Sequence, residues 1–129
     1  MLADAATVAD GKLYVHGGGW DQIHTAQAPT RHPAFALVLV FRLDWHEANE
    51  DIPLSIKLAD EDQHNVLLQG QGVMRAGTPP QLPKGSPLYH SHAQMIYGIV
   101  FPALGRYTLK VSSAGKELAS LPITVAGPT

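Results

Sequence analysis

The sequence predicts an all-β fold, an antiparallel β-sandwich of seven or eight short strands with little helix. Three observations carry this expectation. Apolar and polar residues alternate through segment after segment; no segment repeats apolar residues at the helical period between caps; and turn residues recur about one strand apart. The chain has 129 residues, which suits one domain spanning 1–129, and its 45% hydrophobic content is enough for a core.

Taken in order, DAATVAD (4–10) and KLYVHG (12–17) read as a strand pair broken at Asp10–Gly11. FALVLVFRL (35–43) places Phe35, Leu37, Leu39, Phe41 and Leu43 on one face. Val38 and Val40 make the other face apolar as well, so this strand is expected to be central or covered on both sides. WHEANED (45–51) is too short and too acidic for more than a helical turn. PLSIKLAD (53–60) alternates cleanly, with Leu54, Ile56 and Leu58 inward. A turn at 61–63 leads into HNVLLQGQGVM, where Gly70 and Gly72 predict a bulge or bend. AGTPPQLPKGSPLYHS (76–91) holds four prolines and two glycines and reads as a crossing loop. Beyond it HAQMIYGIVFP (92–102) is a strand with Met95, Tyr97, Ile99 and Phe101 together. RYTLKVSS (106–113) turns Tyr107, Leu109 and Val111 inward. After a turn at Ala114–Gly115, a last strand aligns Leu121, Ile123 and Val125.

Composition narrows the function. Formal net charge is −2 and the nine Lys and Arg are scattered, so no basic face for nucleic acid is expected. Cysteine is absent, which removes disulfides, thiolate metal sites and cysteine nucleophiles. The start, MLADAATVADGK, lacks the basic and apolar regions of a signal peptide. The longest apolar run, Ala34 to Phe41, falls well below the ~20 residues of a membrane-spanning helix. A soluble, cytoplasmic protein without membrane contact is expected.

Four short motifs carry residues with chemical potential. HGGGW (16–20) has the glycines of a phosphate loop but no helix behind it and no lysine within it. It also matches the oxyanion loop of some esterases, yet the chain has no G-x-S-x-G elbow to supply a nucleophile. Its expected role is to turn the chain and seat Trp20. His90-Ser91-His92 is the metal candidate, since alternate residues of a strand share a face and can offer two imidazoles to one ion. No histidine follows His92, so a third ligand would have to come from elsewhere in the fold. Glu50 and Asp51 extend the acidic loop at 44–51, and adjacent acids in a turn commonly point into water. PPQLP (79–83) reads as a rigid spacer.

Tyr107 follows a crossing loop at the start of a strand, where a tyrosine hydroxyl anchors the corner in immunoglobulin-like sandwiches; an immunoglobulin-like arrangement is therefore expected. Several stretches together, LADAATVADGKLYVHGGGWDQI, WHEAN, LPKGSPL and GRYTLKVSSAGKELASLPITV, resemble a family of small uncharacterised bacterial proteins, mostly actinobacterial, that share an ADAA…DGKL…GGGWD signature. The resemblance spans nearly the whole chain. It implies a stand-alone β-sandwich and transfers no catalytic or binding residue.

The functional expectation is a non-enzymatic module that binds a small ligand or a protein partner, self-association included, and needs no cofactor. Loops at one end of a sandwich are natural binding sites. The binding candidates are His16, Trp20, Asp21 and Trp45, with the two indoles offering sugar-stacking faces. The alternative is a metal-binding protein or metal-dependent enzyme using His90 and His92.

Overall fold

The computed structural model of the chain describes residues 1–78 and 81–128. Among them nine strands form two sheets: β1 (Leu2–Ala9), β2 (Lys12–Gly18), β3 (Gln22–His24), β4 (Thr30–Leu43), β5 (Ile52–Asp60), β6 (Val66–Met74), β7 (Leu88–Phe101), β8 (Gly105–Ser113) and β9 (Lys116–Ala126). The first sheet has the order β2-β1-β4-β7 and the second β3-β9-β8-β5-β6. The sheets pack as a sandwich. All pairings are antiparallel except β3 with β9, which is parallel. No helix among the described residues is long and apolar enough to cross a membrane.

Alternation builds the core. Phe35 and Leu37 of β4, Leu58 of β5, Tyr107, Leu109 and Val111 of β8, and Ile123 and Val125 of β9 are all buried in the main cluster. Each such side chain contributes roughly 1.5–3 kcal/mol by leaving water. β4 is covered on both faces from Phe35 to Val38, whereas Val40 on the outer face is 59% exposed, so the double apolar pattern is buried only along part of the strand. The β1–β2 hairpin is in register with β4 only at Leu2 and Ala3. It reaches across to β7, and Leu13 and Val15 pack around Ala36 and Val38 on the outer face. Asp10 and Gly11 turn the hairpin with φ of 51° and 71°, the mirror-image turn that two-residue hairpin loops favour.

The chain changes sheet five times, and at one of these crossings β3 returns directly to β4. Gly17, Gly18 and Gly19 carry it from β2 toward β3, and Trp20 packs against the main core there. A 3₁₀ turn, Trp45–Glu47, follows β4; the Asp44 N–H donates to Glu47 Oε1 at 2.9 Å and closes it. The proline-rich loop joins β6 to β7. At the β7–β8 crossing the Tyr107 hydroxyl donates to the Ala103 carbonyl at 2.7 Å and accepts from the Ala103 N–H at 3.3 Å. The anchoring role expected for Tyr107 is thus present.

The structure differs from the sequence expectation at four points. β3 is an additional strand, whose three residues are too few to show a period. The ladder runs unbroken through Gly70 and Gly72, and the β5–β6 irregularity falls at Leu58/Ala59, so these glycines make no bulge. β7 begins at Leu88, which places Leu88 to Ser91 in a strand rather than in the loop. Met95 and Tyr97 do not share a face with Ile99 and Phe101. Gly98 has φ of 65°, which shifts the phase, so Ile96 and Ile99 are buried while Tyr97 is 69% exposed. Pro79 and Pro80 of the PPQLP segment lie outside the described residues.

Candidate functional site

β6 and β7 are both edge strands, one in each sheet, on the same side of the sandwich. Between them the core is incomplete. On β5 the inward residues Leu54, Ile56 and Leu58 pair with Gly72, Gly70 and Leu68, so the inner face of β6 reads Leu68, Gly70, Gly72, Met74. On β4 the inward residues Leu37, Leu39, Phe41 and Leu43 pair with Gln94, His92, His90 and Leu88. The inner face of β7 therefore reads Leu88, His90, His92, Gln94, Ile96. Each edge strand is apolar at its two ends and carries glycine or polar residues in the middle.

The consequence is a divided core. Leu43, Met74 and Leu88 close one cluster, with Leu54 and Phe41 beside it. Leu37, Ile96 and Val111 belong to the other, with Leu39, Ile56 and Leu68 against it. Between the two clusters opens a cleft of about 730 Å³. Its floor is apolar, formed by Leu39, Leu54, Ile56 and Val111; its β7 rim carries His90, His92 and Gln94, and Arg75 stands at the Met74 end. Glycine makes the room: a Cβ on Gly72 would meet nothing within 4 Å, and one on Gly70 would lie 3.7 Å from Ile56 Cγ1.

Electrostatics follows from burial. Desolvation lowers the His92 pKa below its usual 6.5, and His90 beside it pushes the same way. His92 is accordingly a neutral imidazole at pH 7. Among the described residues that line the cleft none is an acid. Arg75 is its fixed charge, loosely bridged to Asp51 at 3.6 Å with both side chains mostly in water.

The predicted site residues are placed as follows. His90 and His92 share the inner face of β7 and enter the cleft together. Among the described residues, the cleft lining offers them no carboxylate and no other imidazole as a further ligand. His, Asp and Glu gather elsewhere, at Asp44, His46 and Glu47 on the exposed 3₁₀ turn. Trp20 is half-buried and packs edge-on to Phe35 at 5.9 Å and against His32 at 5.9 Å. Asp21 is exposed, and its carbonyl accepts from the Thr124 N–H at 2.8 Å. His16 is exposed on the edge strand β2. Trp45 follows the far end of β4, on the order of 40 Å along the strand from the His32 that Trp20 touches. The two indoles do not form one stacking platform.

The sequence expectation gives Gly70 and Gly72 a bend rather than a place in the site, and gives Gln94 and Arg75 no role. The signal for the glycines was present in LLQGQGVM. Continuing the period from Leu68 puts both on the core face, where a missing side chain means a missing piece of core.

The model of a family of unknown function (DUF6941) matches residues 1–126. The chain belongs to this family. No curated protein matches the chain.

Proposed function

We propose that the protein is a binding module that holds a small, largely apolar molecule in the cleft between β6 and β7. The observation that supports this is the pairing of vacancies. Two inward positions of one edge strand are glycine where alternation calls for core residues, and the facing edge strand presents His90, His92 and Gln94 over an apolar floor. Small-molecule sites are typically clefts of roughly 300–1,000 Å³, mostly apolar with a few polar groups that orient the ligand.

The test is titration of the neutral fluorophore N-phenyl-1-naphthylamine into the wild type and a Gly70→Leu/Gly72→Leu variant. The expected result is saturable binding at one site, lost in a variant that keeps the wild-type circular dichroism. Binding of equal strength in the folded variant, or no binding to the wild type, overturns the reading.

A metal at His90 and His92 is the second reading, and their common face favours it. It requires stoichiometric zinc that disappears in a His90→Ala/His92→Ala variant. Native mass spectrometry of protein purified without chelator distinguishes the two, since an organic ligand and an ion add different masses.

A further inference from the structure

We propose that the molecule held in the cleft is an anionic amphiphile, an apolar chain ending in a carboxylate or similar acidic head that Arg75 receives. This rests on the cleft reading above and adds the class of ligand.

The argument is one of charge and position. The floor is apolar along its length, so the ligand's body is apolar. The polar groups of the rim are His90, His92, Gln71, Gln94 and Arg75. All can donate a hydrogen bond, and none is an acid. A cationic head would find no carboxylate among the described lining residues, and the nearby Asp51 already faces the Arg75 guanidinium. An anionic head finds a guanidinium, whose planar fork fits a carboxylate in a bidentate pair.

The guanidinium is also at one end. Arg75 follows Met74, and Met74 packs in one cluster with Leu88, two residues before His90. The opposite end closes on Leu68 and Ile96. A head at Arg75 with a chain running toward Leu68 matches this polarity. The Asp51 bridge does not block it. At 3.6 Å, with relative side-chain exposures of 62% and 68%, it is a solvated pair that leaves guanidinium donors free.

The experiment is displacement of N-phenyl-1-naphthylamine by decanoate, decanol and decylamine, each below its aggregation threshold, from the wild type and from Arg75→Gln. Decanoate is expected to displace the probe at about tenfold lower concentration than decanol, the worth of one charge-assisted pair. Arg75→Gln is expected to erase that preference and leave decanol unchanged. Equal displacement by decanoate and decanol, with probe binding still lost in Gly70→Leu/Gly72→Leu, overturns the acidic head and leaves the cleft reading standing. Stronger displacement by decylamine overturns it too. A decanoate preference that persists in Arg75→Gln overturns the assignment of Arg75. Absence of probe binding in the wild type removes the cleft reading and this inference together.

Discussion

Gly72 of β6 lies opposite Leu54 of β5 in the ladder, on the face that Leu54 turns toward the other sheet, and its missing Cβ would touch nothing within 4 Å. Its φ lies outside the left-handed range, so a side chain there meets neither strain nor neighbours. Gly72→Leu is expected to raise stability by about 1 kcal/mol, from lower unfolded-state entropy and added apolar contact with Leu54. Urea unfolding checks this. A gain in stability would show that the open space Gly72 leaves beside Leu54 is held at a cost to the fold. A loss of stability would mean the cleft is already as closed as the fold allows.

Tyr107→Phe removes a hydroxyl that serves Ala103 twice, as donor to its carbonyl and acceptor from its N–H. The ring would keep its edge contact with Phe101 at 5.0 Å, so packing is preserved and the hydrogen bonds alone are lost. The expected cost is about 1–2 kcal/mol, a fall in Tm of roughly 3–6 °C. Calorimetry measures it directly. An unchanged Tm would show that the β7–β8 corner holds without the hydroxyl.

How far the sequence alone could be read differs from strand to strand. Tyr107, Leu109 and Val111, and Leu121, Ile123 and Val125, were legible because alternation over a whole strand repeats one physical requirement several times. The Asp10–Gly11 turn was legible because two left-handed residues have few alternatives. The phase change in β7 was not, since Gly98 at φ of 65° reads in sequence like any other strand glycine. The site was half legible. His90 and His92 follow from a local rule, that alternate residues share a face. Their opposition to Gly70 and Gly72 does not, because it depends on β6 and β7 becoming edges on the same side of two different sheets. Sheet order is a long-range property, and no local period encodes it.

The β8–β9 hairpin contains a correctable fault. Ala114 and Gly115 form a two-residue loop between the paired Ser113 and Lys116, and Ala114 sits at φ of 49°. Left-handed backbone costs a residue with a Cβ about 1 kcal/mol, and asparagine tolerates it far better than alanine. Ala114→Asn creates an Asn-Gly pair suited to this turn and is expected to stabilise by about 0.5–1 kcal/mol. Thermal unfolding of the variant provides the check, and a lower Tm would contradict the turn geometry.

The three glycines before Trp20 should not respond alike. Gly17 has φ of 59°, and a Cβ there would overlap the Asp4 carboxylate. Gly18 has an ordinary φ; its Cβ would come within 2.8 Å of Val15 Cγ1 and 2.9 Å of Met1 Sδ, both able to shift. Gly17→Val is therefore expected to cost about 2 kcal/mol or more, and Gly18→Val about 1 kcal/mol. Gly19, at φ of 86° with open space around it, pays for backbone strain alone. Denaturant midpoints for the three valine variants order these costs. A ligand-binding loss in Gly18→Val at undiminished stability would return a functional role to this corner.

Acid stability should fall in two separate windows. His92 has a folded pKa below its usual 6.5, chiefly through burial and then through His90. Between the two values the unfolded chain binds a proton that the folded chain refuses. The stability linked to the neutral imidazole is thus present above pH 6.5 and is lost as pH falls through the folded value. Asp60 lies lower. Burial raises its pKa, but the Asn65 and His64 backbone N–H groups and the Asn65 side-chain amide donate to the carboxylate and bring it below 3.8. Its contribution is present above pH 3.8 and is lost as pH falls through the folded value. Urea unfolding across the acid range should show both declines. His92→Gln is expected to flatten the upper one and leave the lower, and Asp60→Asn to do the reverse. A wild-type profile flat between pH 7 and 5 would mean that His92 is as well solvated in the fold as in the unfolded chain, with the β7 rim more open to water than its burial implies.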